Sequence, residues 1–146
     1  VILVSACLLG YNCKYNGKNN FKTEITCLRD DLLIPVCPEE LGGLPTPRPP
    51  AQFDKADGNA LLDGLAGIID INGRDVTNNF LAGALKALSI AKKNGVHKAI
   101  LKERSPSCGV SSVYIAQKGE KPVPGMGVTA AILQRNGVKI ISDEEL

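Results

Sequence analysis

The apolar positions of this chain fall into short continuous runs separated by polar, glycine-rich and proline-rich stretches, the pattern of strands buried on both faces and alternating with helices. Val1-Ile2-Leu3-Val4 is the first run and breaks at Ser5-Ala6-Cys7. Residues 11–20 are rich in Asn, Gly and Lys and read as a loop, and a short helix is predicted over 21–29. Leu32-Leu33-Ile34-Pro35-Val36 repeats the first pattern, with Pro35 pointing to a sheet edge or a strand end, and it closes on Cys37-Pro38-Glu39-Glu40. The stretch GGLPTPRPP at 42–50 is a stiff, extended connection of the kind that covers or lines a site. Gly67-Ile68-Ile69-Asp70-Ile71 predicts a strand, and Asn72-Gly73 a tight turn into 74–76.

A longer helix is predicted over 78–94, with Thr77 as its N-cap and Gly95 as its left-handed stop. Its apolar face comprises Phe80, Leu81, Ala84, Leu85, Leu88 and Ala91. The next strand spans 97–102 and runs into Glu103-Arg104-Ser105-Pro106-Ser107-Cys108-Gly109. Residues 112–117 read as a short antiparallel ribbon, 128–135 as a helix stopped by Asn136-Gly137, and 138–141 as the last strand. Strands alternating with helices define an α/β protein: a mostly parallel sheet flanked by helices in a Rossmann-like three-layer arrangement, with a small antiparallel ribbon. At 146 residues, one domain over 1–146 with one core is expected.

Composition narrows the function. Seventeen basic and fifteen acidic side chains give a net charge of +2 with no basic block beyond Lys92-Lys93, so a nucleic-acid-coating surface is not indicated and a small-molecule partner is expected. No apolar run approaches the ~20 residues that span a bilayer, and the opening residues lack the charged flank and length of a signal peptide, which points to the cytoplasm. The sequence gives no reading of oligomeric state. Five cysteines are an odd number in a chain large enough to fold without staples, which suits metal or catalytic thiols better than a disulfide framework. His97 is the only histidine, reads as the start of a strand, and leaves soft-metal chemistry to the thiols.

Three of those cysteines follow three predicted strands. Ligands of open parallel sheets bind beyond the carboxyl ends of the strands, so if 1–6, 32–36 and 97–102 are parallel neighbours, Cys7, Cys37 and Cys108 emerge at one edge. The chain has no CxxC and hence no ordinary zinc-ribbon or ferredoxin spacing. Three thiolates without a fourth obvious partner point to an iron–sulfur cluster with one open iron. Cys13 stands as an alternative ligand or a redox partner, and Cys27, inside the predicted helix 21–29, as a small buried hydrophobe. Gly125-Met126-Gly127 reads as a turn into a helix, Arg48 as a surface residue or a substrate clamp, and Glu40 as a solvated loop residue.

These residues also carry a resemblance. Ser5-Ala6-Cys7-Leu8-Leu9-Gly10, Lys14-Tyr15-Asn16-Gly17, Pro35-Val36-Cys37-Pro38-Glu39, Gly42-Gly43-Leu44-Pro45-Thr46-Pro47-Arg48, Asp75-Val76-Thr77, Lys102-Glu103-Arg104-Ser105-Pro106-Ser107-Cys108-Gly109 and Gly127-Val128-Thr129-Ala130-Ala131 resemble, in order, the motifs of the domain-of-unknown-function 523 family, whose characterised members are thiouracil desulfurases. Asn16 departs from the Asp expected there. The resemblance implies a [4Fe-4S] cluster on Cys7, Cys37 and Cys108, a free iron that takes sulfur from a thiolated pyrimidine such as 2-thiouracil without net electron transfer, and a catalytic pair formed by Glu39 and Ser105. A glutamate beside an anionic cluster is expected to have a raised pKa and so to exchange protons near neutral pH. Two further readings stay open at this point: a non-catalytic iron–sulfur module that senses redox state or passes sulfur on, and a metal-free sulfurtransferase carrying a persulfide on Cys108.

Overall fold

The computed structural model describes residues 1–28 and 31–146. In chain order the elements are β1 (Ile2–Ser5), β2 (Leu33–Val36), α1 (Pro38–Leu41), β3 (Ala51–Phe53), α2 (Gly58–Leu62), β4 (Ile68–Asp70), α3 (Thr77–Lys93), β5 (Lys98–Leu101), β6 (Ser112–Val113), β7 (Val123–Pro124), α4 (Val128–Arg135) and β8 (Lys139–Ser142). Short 3-10 helices at Ala6–Leu9 and Thr23–Leu28 follow β1.

The main sheet has the order β2-β1-β5-β8 and every pair in it is parallel. Ser5 stands opposite Val36 and Val4 opposite Ile100, so three strands end level with one another and their outgoing loops share one edge. β2 is one of the two edge strands, and Pro35, which has no N–H to give a ladder, is exposed there as its chemistry requires.

Alternation along the strands divides the core. Leu3, Ala99 and Leu101 face Ala91 of α3 and Ala130 and Leu133 of α4. Ile2, Val4 and Ile100 face the other way, onto Leu8 and Ile25 of the 3-10 helices. The second flanking layer is therefore thin. The helix predicted over 21–29 is this 3-10 helix Thr23–Leu28, and Arg29 lies outside the described residues. Thr23, Ile25 and Thr26 are β-branched and support a regular α-helix poorly. A third cluster, centred on Phe53, Ile68, Phe80 and Val128, fills the space under the antiparallel β3-β4 pair.

Three local expectations are corrected. Thr77 is the first residue of α3 rather than its N-cap; its Oγ1 accepts the Ile68 N–H at 2.9 Å, and Val76 occupies the cap position. Leu85 is half exposed, and α3 buries Gly83 and Ala87 instead, because it packs against α1 and α4 at once and only small residues permit that approach. The ribbon predicted over 112–117 is shorter, with Ser112 and Val113 pairing with Pro124 and Val123. Gly95, at φ 62°, does supply the left-handed stop after α3. Among the described residues, no helix is long and apolar enough to cross a membrane.

Candidate active site

The loops leaving β1, β2 and β5 enclose a cavity of about 540 Å³ at the carboxyl edge of the sheet. Cys7, Cys13, Cys37 and Cys108 all line it, together with Glu39, Arg48, Lys102, Ser105 and Ser107. The parallel order and level strand ends bring the three strand-terminal cysteines together although they are distant in sequence. Cys7 sits in the 3-10 turn that ends β1, and Cys37 caps α1. Cys108 is buried in the loop after β5. All five cysteines are free thiols. Cys27 is exposed, which corrects the expectation of a buried hydrophobe; the short 3-10 turn carries it outward.

A buried carboxylate shapes the Cys108 loop. Glu103 accepts the backbone N–H groups of Val110, Ser111 and Ser112 and the Ser111 hydroxyl. Burial opposes its charge, but these donors prevail and hold its pKa down at about 2. Arg104 turns through φ 65°, a rare conformation for a side-chain-bearing residue. Beyond it, Ser105 Oγ accepts the N–H groups of Ser107 and Cys108, both at 3.1 Å. The first N–H groups of α4, from Val128, Thr129 and Ala130, donate to the Pro106 and Ser107 carbonyls. The Gly125-Met126-Gly127 turn thus grips the loop, and a Cβ at Gly127 would come within 2.4 Å of the Ser107 carbonyl carbon.

Glu39 projects from α1, and its two oxygens meet different partners. Oε1 accepts from Arg48 Nε at 3.0 Å, and Oε2 accepts from the Ser107 hydroxyl at 3.1 Å. Ser107 Oγ lies 2.9 Å from Ser105 Oγ, so Ser107 stands between the two residues that the sequence pairs. Its role is missed in the sequence because both serines flank Pro106, and nothing in Ser-Pro-Ser says which hydroxyl turns inward. Arg48 is also corrected: it is buried, at 8% exposure, not a surface residue. Glu40 is exposed, as expected, and accepts from the Thr46 hydroxyl. Asn16 is exposed as well and accepts the Lys18 N–H at 3.0 Å, a turn-forming role that an Asp would serve equally.

The thiols differ electrostatically. Burial pushes the Cys108 thiol up to about 12, against hydrogen bonds from Ser5 and Ser107. Burial also raises Cys7, with repulsion from Cys37 adding to it and Asn20 and Lys102 opposing. Interaction between the neighbouring Cys13 and Cys37 thiols favours the thiolate on Cys37 and pushes Cys13 up. Among the described residues, no three His, Cys, Asp or Glu side chains stand close enough to clasp a single metal ion.

One cleft of this parallel α/β sheet thus collects soft thiol donors, a clamped carboxylate and two hydroxyls, groups whose chemistry suits an enzyme that handles metal, sulfur and protons. The 2-thiouracil desulfurase family matches residues 2–145, and the chain belongs to that family. The protein YbbK of Bacillus subtilis (strain 168) is 43% identical over 147 residues, covering 100% of this chain and 97% of its own length. Among solved structures, the [4Fe-4S]-dependent thiouracil desulfidase TudS superposes with a TM-score of 0.85 at 36% identity, covering 99% of this chain and 91% of its own.

Proposed function

We propose that the protein removes sulfur from a thiolated pyrimidine base such as 2-thiouracil, exchanging C=S for C=O with water as the oxygen donor and sulfide as the product, at a [4Fe-4S] cluster held by Cys7, Cys37 and Cys108. The observation that carries this reading is the convergence of those thiols on one cavity beside Glu39. The donor set fits the group: three cysteine sulfurs from three separate loops line one cavity of about 540 Å³, and soft thiolates are the donors that hold iron–sulfur clusters. When bound, such a cluster supplies a Lewis-acidic iron with high affinity for the substrate sulfur, with no net electron transfer.

The chain's own residues handle protons and position. Glu39 takes a proton from the attacking water, and Ser107, hydrogen-bonded to Glu39 Oε2, links it to Ser105. Lys102 lines the same cavity, is tied to Asp143 at 3.7 Å, and offsets the negative charge that three thiolates bring. Cys13 stands beside Cys37 as a fourth thiol, available as an alternative ligand or redox partner. The burial of Cys108 and its raised pKa disfavour a metal-free persulfide carrier, which needs an accessible, low-pKa thiolate. We place the protein in the cytoplasm, where reducing conditions suit five free thiols.

The test is anaerobic reconstitution with iron and sulfide, followed by iron quantification and a sulfide-release assay with 2-thiouracil. About four irons per chain with sulfide release are expected. Cys108→Ala should lose both iron and activity, and Glu39→Gln should keep the iron and lose turnover by about 100-fold or more. Iron uptake without turnover would favour a non-catalytic iron–sulfur module, and turnover in protein free of iron would overturn the cluster reading.

A further inference from the structure

Glu39 sits on a helix of only four residues, too short to fix a carboxylate by itself. What holds it comes from the proline-rich loop that folds back over the cavity. Arg48 Nε donates to Glu39 Oε1 at 3.0 Å, Nη1 to the Pro45 carbonyl at 3.3 Å and to Thr46 Oγ1 at 2.8 Å, and Nη2 to the Cys13 carbonyl at 2.8 Å. Its backbone N–H donates to the Tyr15 carbonyl at 2.8 Å. A guanidinium has five N–H donors, and these side-chain contacts take four of them. A substrate clamp would keep a fork of donors free toward the cavity; this one is spent on the protein.

We propose that Arg48 is a positioning residue for the reaction: it locks the Glu39 carboxylate with Oε2 turned to Ser107, and it ties the loop bearing Cys13 to that same carboxylate. The proposal rests on the assignment of Glu39 made above. A lysine cannot replace it, because a point-like ammonium cannot reach Glu39, Thr46 and the Cys13 carbonyl in one plane. With Arg48 gone, the carboxylate keeps only the single contact from the Ser107 hydroxyl and can swing about it, and a displacement of about 1 Å at such a group costs about 100-fold in rate.

The experiment compares wild type, Glu39→Gln, Arg48→Met and the double variant, each reconstituted anaerobically, for iron per chain, visible absorption, thermal midpoint, and kcat and KM with 2-thiouracil. Arg48→Met should keep wild-type iron and absorption, lose about 100-fold in kcat, and hold KM within about threefold. The double variant should be no slower than Glu39→Gln alone, because Arg48 acts through Glu39. Arg48→Lys should recover about a tenth of wild-type kcat or less, and added guanidinium should partly restore Arg48→Ala but not Glu39→Gln. Unchanged kcat with a raised KM would make Arg48 a substrate clamp, and loss of iron in step with activity would make it a support for the cluster; either overturns the proposal, as do additive losses in the double variant. If the wild type takes up iron but releases no sulfide, the functional assignment fails, and the coupling of Arg48 to Glu39 is read from the four thermal midpoints, where additive shifts overturn it.

Discussion

The two oxygens of Glu39 meet a guanidinium on one side and a hydroxyl on the other, and the hydroxyl belongs to Ser107 rather than Ser105. The two serines therefore predict different phenotypes. Ser107→Ala removes the contact to Oε2 while leaving the loop backbone satisfied, and should lower kcat by about 10- to 100-fold at unchanged iron content and thermal midpoint. Ser105→Ala strips an acceptor from the N–H groups of Ser107 and Cys108 and should cost roughly 1 kcal/mol of stability, visible in denaturant unfolding. Equal effects on both measurements would show that the hydroxyls act as one unit. Glu103 gives the pH dependence at this scale. Its pKa is depressed from 4.5 to about 2, so its contribution is fully present above 4.5 and is lost as pH falls toward 2. The thermal midpoint of the wild type should drop across that window, with on the order of 3 kcal/mol at stake, and Glu103→Gln should flatten the drop while lowering stability at neutral pH.

Among elements, the crossing of α1 and α3 carries the most consequence for the site. A Cβ at Gly83 would lie 1.8 Å from the Pro38 carbonyl oxygen, and one at Gly42 would lie 2.0 Å from the Asn79 carbonyl oxygen, so backbone meets backbone from both sides. Asn79 Nδ2 adds a hydrogen bond to the Gly42 carbonyl at 2.9 Å. Gly83→Ala improves helix propensity in isolation but must push α1 away, and α1 carries Glu39. Overpacking of this kind costs about 1–3 kcal/mol, so the variant should melt at lower temperature and also turn over more slowly; a midpoint at or above wild type would refute the close-approach argument. The same crossing explains what the sequence conceals. Runs such as Ile2 to Ser5 and the 3.6-residue period of α3 declare themselves locally, whereas α1, α2 and β3 are three to five residues long and take their shape from what they touch. Leu85 fits the period as well as Ala84 does, yet the demand for small residues at two contacts turns α3 so that Gly83 and Ala87 face inward.

Across the whole molecule, the convergence of cysteines is legible because a parallel sheet sends every outgoing loop to one edge, whatever the separation along the chain. The inward turn of Arg48 and the outward turn of Cys27 are not legible, since loop direction depends on partners that the local sequence does not name. That geometry makes a prediction about stability and motion together. A cluster on Cys7, Cys37 and Cys108, as proposed, would cross-link three loops, adding to the contacts from Glu103 and α4 that already hold one of them, so its binding energy would go into those loops rather than the core. Hydrogen exchange compared between reconstituted and iron-free protein should therefore slow at residues 6–20, 37–50 and 104–112 when the cluster is present. The buried faces of β1, β5, α3 and α4 should exchange alike in both, because Leu3, Ala99, Leu101 and Ala130 are packed without it. Protection gained at none of the three loops would refute this prediction. Protection gained throughout the sheet would mean instead that the fold itself depends on the cluster.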